Sequence, residues 1–243
     1  MRRRLLLAIP LLLSWGCAPG GPEFVRRPAE PPGAVLIRGA SVLDVATGDV
    51  SPPRDVLVRG ERIEAITAPG TLASPAGAME IAAEGATLLP GLVDMHGHVG
   101  NRSTPTWTGG LPDPDANLRG YLYCGVTTVL DPADLSTQAF RRRDRVASGK
   151  LLGPTIFAAG PMITAPGGHP VAILRSLAPW WLQWYLIPRF SMQVDSPEAA
   201  REAVEEIAES KPDVVKLAVD RLPHEAPRIR RDVLEAAVAA ARA

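Results

Sequence analysis

Leu88-Leu89-Pro90-Gly91-Leu92-Val93-Asp94-Met95-His96-Gly97-His98 begins apolar, passes a Pro-Gly step and ends on two histidines one residue apart. As a buried strand its side chains alternate between faces, so Asp94, His96 and His98 project to the same side. Two neutral imidazoles at the end of one strand offer two nitrogen ligands to a single divalent cation. Gly97, lying between them, leaves room for another group to approach closely. A bare His-x-His pair also fits two partly exposed histidines at a strand end.

Outward from this stretch the chain changes texture several times. Met1 to Gly16 has the order of an export signal: Arg2, Arg3 and Arg4, then the apolar run Leu5 to Leu13, then small residues. That run is too short to span a bilayer as a stable helix. Cys17 follows at once and looks like a bacterial lipoprotein cysteine; ordinary cleavage after Ala18 is the other reading. Residues 1–17 are therefore read as an export signal with a lipidation site at Cys17, and residues 18–32, rich in proline and glycine, as a tether. The chain is expected at the periplasm or cell envelope, attached to a membrane through its lipid. Residues 33–87 hold short β segments, Val35 to Arg38, Ser41 to Asp44, Asp55 to Arg59 and Arg62 to Ile66, whose alternation and turns predict a small antiparallel sheet.

From residue 88 to 243 the pattern alternates between strand and helix, which predicts an α/β fold with a parallel sheet. Helices are expected over Asn117 to Tyr123, Thr137 to Ser148, Ser196 to Ser210 and Arg228 to Ala243. Strands are expected over Gly125 to Asp131, Thr155 to Ala159 and Val214 to Asp220, with a long polar loop from Asn101 to Asp115. Trp180, Trp181, Trp184, Tyr185 and Phe190 cluster between Ala178 and Met192. They read either as a helical lid or insertion packed on the fold, or as a surface for lipid headgroups or an apolar substrate. Lys216 stands inside an apolar strand pattern, where an unpaired ammonium is costly to bury; it either snorkels to the strand end or serves chemistry. His224 reads as a solvated loop residue.

Composition narrows the function classes. Lysine plus arginine equals aspartate plus glutamate at 26 each, so no electrostatic footprint for nucleic acid is present. The 243 residues, 46% hydrophobic, suffice for a core. Two cysteines, Cys17 and Cys124, exclude a disulfide framework. Cys124 has no paired base in the pattern and reads as a buried free thiol.

Pro90-Gly91-Leu92-Val93-Asp94-Met95-His96-Gly97-His98 resembles the metal-binding strand that opens the barrel of the amidohydrolase superfamily, metal-dependent hydrolases of amides, peptides and related C–N bonds. Asp213-Val214-Val215-Lys216-Leu217 resembles that superfamily's fourth barrel strand. Met162 to Pro170 resembles the loop after strand three in its prolidase and imidazolonepropionase-like branch. The resemblance implies the first half of a (β/α)8 TIM-type barrel, four βα units over residues 88–243, preceded by part of a small β-sandwich over 33–87. It implies a divalent metal, zinc first among the candidates, as one or two ions. His96, His98 and Lys216 are the implied ligands, with Lys216 carboxylated by carbon dioxide to bridge two metals. His169 is implied at the substrate, a small molecule or dipeptide-like compound. Two further histidine ligands and the general-base aspartate are expected beyond residue 243, leaving the catalytic residue unknown. Two functions follow as expectations. The first is the N-terminal part of an exported metal-dependent amidohydrolase. The second is a truncated, inactive half-barrel or a binding lipoprotein at the cell envelope.

Overall fold

A computed structural model describes residues 25–101 and 112–243. The export signal, Cys17, the first part of the tether and most of the polar loop after His98 lie outside these residues.

The N-terminal sheet is built on β1 (Ala34–Val42), which pairs antiparallel with β2 (Arg54–Arg59); β2 pairs antiparallel with β3 (Arg62–Thr67). Gly60 at φ +56° makes the tight turn between β2 and β3. The expected antiparallel sheet is corrected to a mixed one: β4 (Met79–Ala82) and β5 (Thr87–Leu88) run parallel to β1. The long 68–78 connection carries the chain across to the other edge of β1, which a hairpin turn would not do. The two expected segments 35–38 and 41–44 fuse into one strand, with a register shift between Ile37 and Ala40.

A single buried carboxylate ties this sheet together. Asp55 on β2 accepts from Gly39 N at 3.0 Å, Gly70 N at 2.8 Å and Arg38 Nη1 at 2.9 Å. Arg38 donates also to Leu72 O at 2.9 Å and to Glu80 on β4 at 3.2 Å. The Gly70 N–H, with Arg38 and Gly39, holds the Asp55 carboxyl below the ordinary carboxylate range against the opposing effect of burial.

The second region opens with β6 (Leu92–Asp94), followed by α1 (Pro114–Tyr123), β7 (Val126–Asp131), α2 (Ser136–Ala147) and β8 (Thr155–Ala158). These three strands form a parallel sheet in the order β6-β7-β8. Asp113 caps α1 by accepting from Ala116 N at 2.9 Å, with Pro114 in the first turn. Leu118, Val129, Phe140 and Ile156 are among the side chains that seal α1 and α2 onto β7 and β8.

Next come β9 (Met162–Thr164), α3 (Val171–Leu177), α4 (Trp180–Phe190), β10 (Ser191–Gln193), α5 (Pro197–Ala208) and α6 (Arg231–Arg242). Strands β9 and β10 pair in parallel. Ser196 caps α5 by accepting from Ala199 N at 3.1 Å. Val204 and Ile207 of α5 pack with Val233 and Ala237 of α6 over Ile163.

Four further expectations are corrected. The 88–98 stretch is not one buried strand: Leu88 ends β5, Leu92–Asp94 forms β6 at the edge of its sheet, and Leu92 and Val93 are 49% and 56% exposed. Part of the Met162 to Pro170 loop is β9. The strand expected over Val214 to Asp220 is a single parallel bridge, Leu217 to Ile163. Three-residue β9 offers one register position, met by Ile163 N to Lys216 O and Ala218 N to Ile163 O, both at 2.9 Å. Cys124 is exposed at the end of α1, not buried.

Asp55→Asn is expected to lower the melting temperature at neutral pH, because the amide replaces the charge that faces Arg38 and cannot accept from all three donors. A carboxyl with a depressed folded pKa stabilises above the unfolded value and loses that contribution as pH falls through the folded one. The gap between wild type and variant in thermal melts should therefore narrow below about pH 4.

Candidate active site

Parallel strands leave their sheet at the same end, so the segments that follow β6 and β7 emerge side by side. There an open cavity of about 380 Å³ is lined by His96, His98, His169 and Lys216 together with Met162, Leu217 and Asp220. All four residues singled out in the sequence thus reach one cavity from three separate segments.

His96 and His98 lie past the end of β6, in a turn closed by Asp94, whose Oδ1 accepts from His96 N at 3.0 Å. Their rings meet edge-on, with centroids 5.3 Å apart. The shared side comes from this turn and not from strand alternation. His98 Nδ1 lies 3.2 Å from Ala133 O, the chain leaving β7. With Nδ1–H donating to that carbonyl, the lone pair of His98 stands on Nε2. Gly97 is required by its surroundings: a Cβ there would stand 2.5 Å from Tyr121 Oη, 2.6 Å from Val129 Cγ2 and 2.8 Å from Asp94 Oδ2.

Lys216 sits beside the bridge to β9, half-buried, and lines the cavity with its side chain. His169 follows the Gly167-Gly168 turn after β9, with Nδ1 buried, without a hydrogen bond, and 3.4 Å from Asp220 Oδ2. His224 is exposed and stands outside the cavity.

Two acidic residues were not singled out from the sequence. Asp131 ends β7, fully buried, with Oδ1 unpartnered and 3.9 Å from His98 Nδ1. Burial pushes its carboxyl up to about 6, against the N–H groups of Ala133 and Val99 and the charge of Arg142. Its position at the C-terminal end of a parallel strand was the available signal. Asp220 faces His169, a proximity no local pattern announces.

His96 and His98 would offer two imidazole nitrogens to a divalent cation, His98 with its second nitrogen held by a backbone carbonyl, and Lys216 lines the same cavity. Among the described residues no three His, Cys, Asp or Glu side chains converge on one point.

No family model matches the chain. Among solved structures, molinate hydrolase superposes with a TM-score of 0.69 at 23% identity, over 88% of this chain and 52% of that one. A Xaa-Pro dipeptidase with methionine bound in its active site superposes with a TM-score of 0.68 at 24% identity, over 86% of this chain and 54% of that one. The fold is that of the amidohydrolases. A dihydroorotase from Streptomyces coelicolor is 47% identical over 64 residues, 26% of this chain and 13% of that enzyme. The resemblance to amidohydrolases read from the sequence is thus matched by both kinds of comparison. This amidohydrolase-fold chain spans about half the length of the solved structures it matches.

Gly97→Ala is expected to cost about 1–3 kcal/mol in denaturant melts, because Tyr121 and Val129 must give way. Gly120→Ala, on α1 with open space around it, should instead gain about 0.5–1 kcal/mol.

Proposed function

We propose that this chain forms part of a metal-dependent hydrolase that cleaves an amide, peptide or other C–N bond. The observation that carries the reading is the convergence of His96, His98, Lys216 and His169 on one open cavity. In this reading β6, β7 and β8 open a (β/α)8 barrel, and β1 to β5 belong to a small β-sandwich beside it.

His96 and His98 serve as nitrogen ligands, His98 through Nε2. Lys216 serves as the third once its amine adds to carbon dioxide, losing a proton and becoming an anionic carbamate with two oxygens. Nitrogen with carboxylate oxygen suits zinc, as one ion or two. A divalent cation so held supplies a Lewis acid for the scissile carbonyl and lowers the pKa of water. The Ala133 carbonyl fixes the orientation of the His98 ring from behind, with the Asp131 carboxylate next to it. His169 contacts the substrate, a small molecule or dipeptide-like compound of a size the cavity admits. No described residue is assigned as the general base. The export reading places the protein at the cell envelope, anchored through lipid on Cys17.

Zinc competition measurements on the full chain in bicarbonate buffer test this. One or two zinc ions should bind per chain, and His96→Ala and His98→Ala should each weaken binding at least about tenfold. Lys216→Gln should abolish the carbonyl resonance that ¹³C-bicarbonate gives the zinc-loaded chain. Zinc affinity unchanged in His98→Ala would overturn the assignment.

A further inference from the structure

Helix α4 is turned inside out relative to its neighbours. On α5 the outward positions are Glu198, Arg201, Glu202, Glu205 and Glu206, the usual charged face of a surface helix. On α4 the outward positions are Trp180, Trp181 and Trp184, exposed to 83%, 58% and 74%, followed by Tyr185 at 40%. Leu177, at the end of α3, adds a side chain 77% exposed. The inward side of α4 is also apolar, with Ile187 buried and Leu182 and Leu186 half-buried. The exposed indoles are therefore additional to what packing among the described residues requires.

Along α3 and α4 the charged side chains have one sign. No aspartate or glutamate occurs between Asp144 and Asp195, while Arg175 and Arg189 stand exposed in the last turns of α3 and α4. Arg189 lies over the Tyr185 ring at 3.8 Å and donates to Tyr185 O at 3.0 Å, so its cation borders the aromatic face. The pair of helices is held as one unit: Gln183 Nε2 donates to Arg175 O and to Ala178 O, both at 3.0 Å. Among the described residues no helix is long and apolar enough to cross a membrane.

We infer that α3 and α4 form a docking surface for a lipid bilayer with anionic headgroups. Indole rings favour the boundary between headgroups and acyl chains, arginines favour anionic headgroups, and two helices without a carboxylate add no repulsion there. The inference rests neither on lipidation of Cys17 nor on the hydrolase reading. Helix α3 begins two residues after His169, which lines the cavity.

The test uses the chain from residue 17 onward carrying Cys17→Ser, so that neither a lipid nor the apolar run Leu5 to Leu13 with Trp15 is present, and vesicles of equal parts phosphatidylcholine and phosphatidylglycerol. The chain should float with these vesicles, and brominated acyl chains should quench its tryptophan emission. The triple variant Trp180→Ser, Trp181→Ser, Trp184→Ser should lower vesicle binding at least about tenfold. Arg175→Gln with Arg189→Gln should lower it severalfold, with added salt mimicking that loss. Absence of flotation would overturn the inference. So would flotation without quenching, or a blue-shifted emission that grows with protein concentration in the absence of vesicles, which would assign the face to a second copy. If the triple variant fails to fold, as judged by circular dichroism, quenching of the Cys17→Ser chain still decides.

Discussion

The parallel pairing of β6 on β7 is the constraint on which the rest depends. Leu92 pairs with Val126 and Asp94 with Val129, and Gly97 N then donates to Leu130 O at 3.0 Å beyond the last ladder pair. Because both strands run the same way, the chain leaving β6 and the chain leaving β7 emerge side by side. That places His98 against Ala133 O and in front of Asp131. Reversing either strand would send the two histidines and Asp131 to opposite ends of the sheet.

The same logic extends across the region. Strand β8 ends at Ala158, whose carbonyl accepts from Asp213 N at 3.0 Å, while Asp213 Oδ2 accepts from Ala158 N at 2.9 Å. Arg143 on α2 holds that carboxylate at 3.0 Å. This lock sets the start of the segment that brings Lys216 beside β9 and Asp220 opposite His169. The cavity is thus assembled from strand exits, each fixed by backbone pairing. Its polar side chains are brought there by topology and not by a continuous surface motif.

Much of the site was legible because its signals are local. His96-Gly97-His98 can be read in three residues, and the need for a small residue at position 97 follows from the crowding between Tyr121 and Asp94. Lys216 betrayed itself as a charge among apolar neighbours. Asp131 and Asp220 did not, since an aspartate at a strand end or in a loop is ordinary until its neighbours are known. The start of α5 followed capping chemistry at Ser196, whereas α1 begins at Pro114, capped by Asp113, three residues before the expected Asn117. Strand directions and lengths did not follow, because β4 and β5 take their direction from a long crossover, and the 214–220 segment is limited by the three residues of β9. The exposure of the α4 indoles was equally hidden: helical spacing places them on one face but does not say which way that face points.

X-ray absorption spectroscopy of the zinc-loaded full chain tests the central claim most directly, namely that His96 and His98 hold one cation together. The account predicts a shell of nitrogen and oxygen scatterers at about 2.0–2.1 Å with the outer-shell signature of two imidazoles. A sulfur shell at about 2.3 Å, which would point to Cys124, or a spectrum with fewer than two imidazoles, would contradict it.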